Sequence, residues 1–565
     1  MSALGAFTFV LHCHHPFMRR TGRWYHAEER IHDAIIETYI PLLEILYDLK
    51  AEGIPYAMTV GISPILAEQL ADPLVLEHFE LYLDERLAAA QKDMHYFEKD
   101  AYNEHLRYLA EWYRDNFLRL KAAFTTRFNR DLIGAFRQLQ DEGLIEIVTS
   151  AATHAYLPLL ARDSSLNAQI KTAAATYQRL FGRAPTSFWL PGYGYRPAQV
   201  TQGGQVRPGI EHFLEKSGIG SFFVDTHTLT GDQPVGVAAG NVLGTYDTVI
   251  RRYTIPLTDF FPPQPRQFSA LQPHIVQEAG ADQPSSVIAI ARNAHMGQQV
   301  WGSTLGYPRD FDYRGSHLRA GTSGLQYWRI TGANVDPAQR DYYHPDWAAY
   351  KIEQHAEHFA HLVGDQLRAY NQSTGHGGLV TASFNANLFG HWWFEGIAWL
   401  GNVLRHLSHH PDIDLTTPTR FLTQHPPAAT ADLLESSWGI AGGHFLWDNQ
   451  ETHWMWSPIH AAEDRMEQLT ENFSAPNDAE AFVLAQAARE LLLLQSSDWQ
   501  FLITTAQSRA YAISRFTEHA ERFDRLADSL EAGAPDVALA QMYREEDNIF
   551  AEVDYRWFKS NSAED

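Results

Sequence analysis

The chain has 565 residues, of which 45% are hydrophobic and 13% aromatic. That exceeds the roughly 250 to 300 residues at which a single core stops growing, so one large unit and a second are expected. Its 68 acidic residues against 44 basic ones give a formal net charge of -24. With no run of Lys and Arg to track a phosphate backbone, nucleic acid and anionic membrane are excluded as expected partners. The opening MSALGAFTFVLHCHHPF lacks a charged segment followed by an unbroken apolar stretch, and nowhere do about 18 apolar residues run together. The single Cys13 leaves no internal disulfide and suits a reducing compartment. A soluble, cytoplasmic protein is expected.

In chain order, FTFVLH (7 to 12) reads as a buried strand, followed by a helical pattern over 34 to 53 and a second strand in YAMTVGIS (56 to 63). Residues 75 to 130 are helical throughout and form an excursion between strands. After the helix LIGAFRQLQDEG (132 to 143) come strand IEIVTS (145 to 150), helix NAQIKTAAATYQRLFG (167 to 182), and strands SFWLP (187 to 191) and SFFVD (221 to 225). The Pro- and Gln-rich FFPPQPRQFSALQPH (260 to 274) marks a mobile loop over about 255 to 284. SVIAIAR (286 to 292) and LVTASF (379 to 384) complete seven apolar strands. Such strands, separated by helices, predict an α/β fold on a parallel sheet, closed as a barrel or doubly wound. From about 415 the pattern becomes helical, so a domain of residues 1–414 and a helical domain of 415–565 are expected.

Polar residues cluster where these strands end: His12, His14 and His15 after the first, His154 and Tyr156 after the third, Asp225 and His227 after the fifth, Asn385 and Asn387 after the last. In parallel α/β proteins those ends converge on one cleft. The fourth strand is different. It stops at Pro191 and displays Gly192-Tyr193-Gly194-Tyr195-Arg196, with no evident group for chemistry. His12 and His14 share one side of a strand and could contribute to a metal site. No ligand-spacing motif completes one, so hydrogen bonding to a substrate is the preferred reading, and no metal or other cofactor is expected. Trp24, Trp301, Trp328, Trp392, Trp393, Trp438, Trp447, Trp454 and Trp456 lie in loop-like segments rich in Gly, His and Asp. Flat rings with polar edges suit the C–H faces of sugars, which points to a carbohydrate groove.

Along nearly its whole length the chain resembles the α-glucan branching enzymes of glycoside hydrolase family 57. The matching motifs include LHCHHPF (11 to 17), TVGISPILAEQLAD (59 to 72), IVTSAATHAYLPLL (147 to 160), FWLPGYGYRP (188 to 197), FVDTH (223 to 227), QVWGSTLGYP (299 to 308), LFGHWWFEG (388 to 396), SSWG (436 to 439) and ELLLLQSSDWQFLI (490 to 503). The resemblance implies a seven-stranded (β/α) barrel with a helical insertion and a helical C-terminal domain completing the cleft. It also implies α-1,4-glucan as ligand, with His12, His14, Trp24, His154, Asp225, Trp301, Trp393, Trp438, Trp447 and Asp498 as candidate binding residues. A protein partner, such as an active branching enzyme or another glycogen enzyme, fits the same picture. The family's retaining chemistry, however, needs a nucleophilic Glu after the fourth strand and an Asp acid in a stretch like F-D-x-E-L-F-G-H-W-W. Those positions fall at Gly192 and Asn385, with Asn387 in place of the neighbouring Glu. Ala151, Ala294-His295, Gly315-Ser316 and Gln326 also depart from the pattern, all toward less charge.

Three readings follow. The chain holds α-glucan without cleaving it, and the paired changes Gly192→Glu and Asn385→Asp would return activity if only those groups are missing. Alternatively it is an active α-glucan branching enzyme or hydrolase whose site is rebuilt from Asp225, Glu395, Asp310 or Asp312, the space left at Gly192 admitting the water that an inverting hydrolase requires. Or the chain is a metal-dependent, deacetylase-like hydrolase using His12, His14, His15 and His295.

Overall fold

The computed structural model describes residues 3–22, 28–99, 103–200, 206–232, 234, 242–243, 248–249, 265–278, 283–302, 306–321, 323–332, 335–439 and 442–560. All seven predicted strands are present: β1 (Gly5–Cys13), β2 (Met58–Ile62), β3 (Ile145–Ser150), β4 (Ser187–Trp189), β5 (Ser221–Val224), β7 (Ile288–Ala291) and β8 (Gly378–Asn385). They lie side by side in the order β8-β1-β2-β3-β4-β5-β7, each ladder parallel. Among the described residues no ladder joins β7 to β8. The curled sheet instead meets itself where the Asn293 N–H, just past β7, donates to the Thr381 carbonyl of β8 at 2.8 Å. Phe7, Phe9, Val10 and Leu11 of β1 are fully buried, as expected of a parallel strand covered on both faces. Each such side chain contributes about 1.5 to 3 kcal/mol.

Three short strands extend this set. β6 (His274–Val276) pairs antiparallel with β7 and parallel with β10 (Thr430–Ala431), and β9 (Ile413–Leu415) joins β1. The expected loop over 255 to 284 therefore contains a strand, and its parts at 255–264 and 279–282 fall outside the described residues. The helical excursion is a pair of contacting helices, α1 (Pro73–Phe97) and α2 (Glu104–Ala122). Asp72 starts α1 by accepting from the Leu74 and Val75 N–H groups at 2.8 and 3.3 Å, with Pro73 in the first turn, where a missing N–H costs nothing. Past the long α3 (Pro345–Thr374), the C-terminal part stacks α4 (Trp456–Asn472), α5 (Asp478–Leu494), α6 (Asp498–Thr504) and α7 (Arg509–Glu531). Asn477 and Glu480 close a capping box on α5, and every side chain from Gln486 to Leu494 is buried. α5 is thus a central helix, and its end carries Asp498 to the strand ends.

Candidate functional site

Register places the first pieces of the site. His12 on β1 lies opposite Asn385 of β8 on one side and Gly61 of β2 on the other. A Cβ at Gly61 would stand 2.9 Å from His12 Nδ1, so the glycine makes room for the imidazole. That ring lies flat on Trp189, centroids 4.5 Å apart at 5°, with its Nε2 3.1 Å from His154 Nε2. His154 sits at φ 56, and its carbonyl accepts from Ser497 Oγ at 2.5 Å. His14 stacks on His154 at 3.9 Å. Its Nδ1 is 2.8 Å from Ser63 Oγ, and its Nε2 is 3.0 Å from each oxygen of Asp498. The Ser63-His14-Asp498 chain has the composition of a nucleophilic triad, but Ser63 is fully buried and presents no oxygen to a substrate.

Burial, then the neighbouring His154 and His14, hold the His12 imidazole well below its ordinary pKa, and burial with His14 does the same to His154. Their Nε2 contact requires one donor and one acceptor, so at least the accepting ring is neutral. Burial pushes the Asp498 carboxyl up, but the adjoining His14, with His154 and Ser496, outweighs it and leaves the group below the ordinary range. Neither His12 nor His154 is therefore expected to titrate between about pH 5 and 8. Histidine side-chain NMR shifts over that range check this, and a transition near pH 6.5 in either ring would contradict it.

At β4 the chain turns through a 3-10 turn, Pro191–Tyr193, with Gly192 at φ 60 and ψ 19. A Cβ on Gly192 would fall 2.4 Å from two carbons of the Trp447 indole and 3.4 Å from the Tyr156 ring. Trp447 is 3% exposed and stacks on Tyr156 at 3.8 Å and 12°. Its carbonyl accepts from Thr452 Oγ1 at 3.0 Å and Trp456 Nε1 at 3.1 Å. The Tyr156 hydroxyl meets His444 Nδ1 at 2.7 Å, and His444 Nε2 lies 3.1 Å from Glu435 Oε1. The space in front of Gly192 is thus filled by an indole, which corrects the expectation that it is open to a water. Tyr193 reaches across to donate to Ser383 Oγ at 2.7 Å, fixing the end of β4 against β8, two residues before Asn385. Asn385 is exposed, and its Oδ1 accepts from the Asn387 N–H at 3.0 Å, so it caps the turn Ala386–Leu388. Asn387 in turn contacts His15 Nε2 at 3.0 Å.

The other carboxylates proposed from the sequence are engaged elsewhere. Asp225 is 1% exposed and ion-paired with Arg292 at 2.8 Å; burial raises its carboxyl, but Arg292 and His227 outweigh that and keep it ionised. Glu395 is buried, accepts from the Arg314 N–H at 2.9 Å, and is pushed by burial to a pKa of about 7. Asp310 lies 3.5 Å from His355, and Asp312 is ion-paired with Arg329 at 3.1 Å. The four histidines of the metal reading do not meet either. Both nitrogens of His14 are taken, His15 faces Asn387, and His295 is exposed on the helix Ala294–Trp301. Among the described residues the one group of three potential ligands is Glu490, His519 and Asp547, in the C-terminal part of the chain. There Arg515 contacts His519 Nε2 and Arg522 pairs with Asp547, so an ion-pair network uses those atoms.

The predicted tryptophans divide. Trp24 lies outside the described residues. Trp438 is half-buried and donates its backbone N–H to the Gly192 carbonyl at 2.8 Å. Trp301 is half-buried against the core, its indole N–H buried without an acceptor among the described residues. Trp393 is a correction: it is 1% exposed among Phe389, Tyr313 and Trp399, and belongs to the core rather than to a groove. The departures from the expected motif lie partly in packing. Ala151 is fully buried, and Gln326 donates to the Ser316 carbonyl at 2.7 Å. Sequence reasoning missed Arg292, Ser383, Glu435, His444 and Ser497. Only Arg292 had a local signal, a charge directly at the end of an apolar strand.

Residues 8–261 match the family model Glycosyl hydrolase family 57, and residues 458–558 match 1,4-alpha-glucan branching enzyme, C-terminal. A 1,4-alpha-glucan branching enzyme of Thermococcus kodakarensis is 40% identical over 97% of this chain and 78% of its own length. The crystal structure of a family 57 branching enzyme from Thermococcus kodakaraensis, in complex with glucose, superposes with a TM-score of 0.87 at 38% identity over 99% of this chain and 97% of that one. That of the alpha-amylase AmyC from Thermotoga maritima has a TM-score of 0.81 at 28% identity over 98% and 99%. Family-wide likeness on this scale, spanning the curled sheet, the helical insertion and the C-terminal helices, leaves one conclusion: the chain belongs to glycosyl hydrolase family 57 and is built like its 1,4-α-glucan branching enzymes.

Proposed function

We propose that this protein holds α-1,4-glucan at the strand ends without cleaving or transferring it. The observation that carries the reading is the Gly192 backbone packed against the Trp447 indole, at the position where the family pattern expects the nucleophile. Retaining glycosidases and transferases need two carboxyl groups about 5 to 5.5 Å apart, one to attack and one to act as acid and then base. Gly192 offers no side chain. The Asn385 amide can accept or donate a hydrogen bond but cannot release a proton near neutral pH. Asp225, Asp498 and Glu435 are bound to Arg292, His14 and His444, so each already serves a neighbour. Losing two groups that act together costs orders of magnitude in rate.

Glucan as ligand follows from the relatives, which are named 1,4-alpha-glucan branching enzymes, together with the polar strand ends and half-buried Trp438 that this chain keeps. A catalytically active branching enzyme or another glycogen enzyme is the proposed protein partner of such a holder. Amylose is expected to bind in equilibrium dialysis, while no reducing ends appear during the same incubation. Absence of binding would end the proposal. Trp438→Ala is expected to lower amylose affinity by about 1 to 3 kcal/mol, the range for burying a large ring, and Trp301→Ala likewise if its ring meets sugar. Unchanged affinity in Trp438→Ala would assign that ring to packing alone.

A further inference from the structure

A row of exposed rings lies on a different part of the surface, where the start of α3 meets α2. Trp347 and Tyr350, 49% and 65% exposed, stand one turn apart on α3. His344 stacks on Trp347 at 4.0 Å and 22°, and His105 of α2 stacks on His344 at 4.1 Å and 29°. His105 is itself fixed, its Nε2 2.8 Å from the Tyr343 carbonyl. Tyr108, 43% exposed, lies 5.8 Å from His105, and Tyr342, 38% exposed, lies 6.2 Å from it. Beside them Arg329 sets its guanidinium 5.6 Å from the Trp347 ring centre and pairs with Asp341 at 2.6 Å and Asp312 at 3.1 Å. None of these residues belongs to the strand-end cleft.

We propose that this face is a second α-glucan site, apart from the cleft. The inference rests on the reading that α-glucan is the ligand. Four features support it. The large exposed apolar side chains here are all aromatic, with no Leu, Ile, Val or Met among them, and flat rings match the C–H faces of a pyranose while leaving its hydroxyls free. The planar guanidinium and its two carboxylates supply donors and acceptors at the edge for those hydroxyls. Stacking on His344 has already ordered the Trp347 ring, so little of its rotamer freedom is lost on binding. Finally, half a dozen side chains fall well short of the roughly 20 to 30 residues a side of a stable protein interface. A branched glucan that reaches both the face and the cleft gains from both, without any new contact between them.

The test is native gel electrophoresis through glycogen, comparing the wild type, Trp347→Ala/Tyr350→Ala, Trp438→Ala and the combination. Each set of changes alone is expected to weaken retardation, the surface pair raising the apparent Kd about tenfold, and the combination to abolish it. Tyr108→Ala, on the neighbouring helix, is expected to act in the same direction, with thermal unfolding of all the surface variants unchanged. Wild-type retardation in both the surface pair and Tyr108→Ala overturns the second site and leaves the cleft reading standing. A wild type that glycogen does not retard at all overturns both.

Discussion

The double replacement Gly192→Glu with Asn385→Asp is expected to leave the protein without measurable branching or hydrolytic activity. If only two groups were missing, restoring them would be enough. Position 192 does not accept the side chain, however. Its φ of 60 lies in the left-handed region, where an L-residue costs about 1 to 2 kcal/mol. Its first carbon would also overlap the Trp447 indole at 2.4 Å, and overpacking of this kind costs about 1 to 3 kcal/mol more. The introduced carboxyl would have to go where the ring now is. Asn385→Asp alone is milder, since an Asp cap on Ala386–Leu388 keeps the bond from the Asn387 N–H. The double variant is therefore expected to be about 2 to 5 kcal/mol less stable in urea and still inert toward amylose; activity returns only if Trp447 is trimmed as well. Turnover by the double variant with Trp447 in place would mean that the ring moves aside freely.

Trp447→Ala is expected to be the most destabilising single change near the site, at about 3 to 5 kcal/mol. The indole is 3% exposed, stacks on Tyr156 and packs against Gly192 and Gly439, so its removal leaves a cavity that those backbones cannot close. Tyr156 would also lose an aromatic pair worth about 0.5 to 1.5 kcal/mol. A lower urea midpoint at unchanged m-value reports this as lost packing rather than a change in the unfolded chain. A loss under about 1 kcal/mol would instead make Trp447 a loosely held ring that a bound glucan can displace.

What the sequence revealed, and what it hid, follows from the range of each signal. The seven parallel strands were visible because a strand buried on both faces is a continuous apolar run, as in FTFVLH and LVTASF. β6 was not, because His274–Val276 follows a Pro- and Gln-rich stretch that reads as loop. The positions of Gly192 and Asn385 were legible through the motifs around them. That Trp447 fills the space beside Gly192 was not, since the two meet only through the tertiary fold and neither segment has a pattern that signals it. That Asp225 and Glu395, candidates for a rebuilt site, are bound by Arg292 and Arg314 was hidden for the same reason, since those partners come from distant segments. In GHWWFEG two adjacent tryptophans looked alike, yet Trp392 is half-buried while Trp393 points into the core.

The central claim is that glucan is held and its bonds are left intact. Amylose incubated with the purified wild-type protein and then enzymatically debranched gives the most direct answer, read as the chain-length profile beside a protein-free control. The profile is expected to match the control at every chain length, while the protein remains bound to the polymer. New short chains released by debranching, or new reducing ends before it, would contradict the account and require a catalytic pair that Gly192 and Asn385 do not supply.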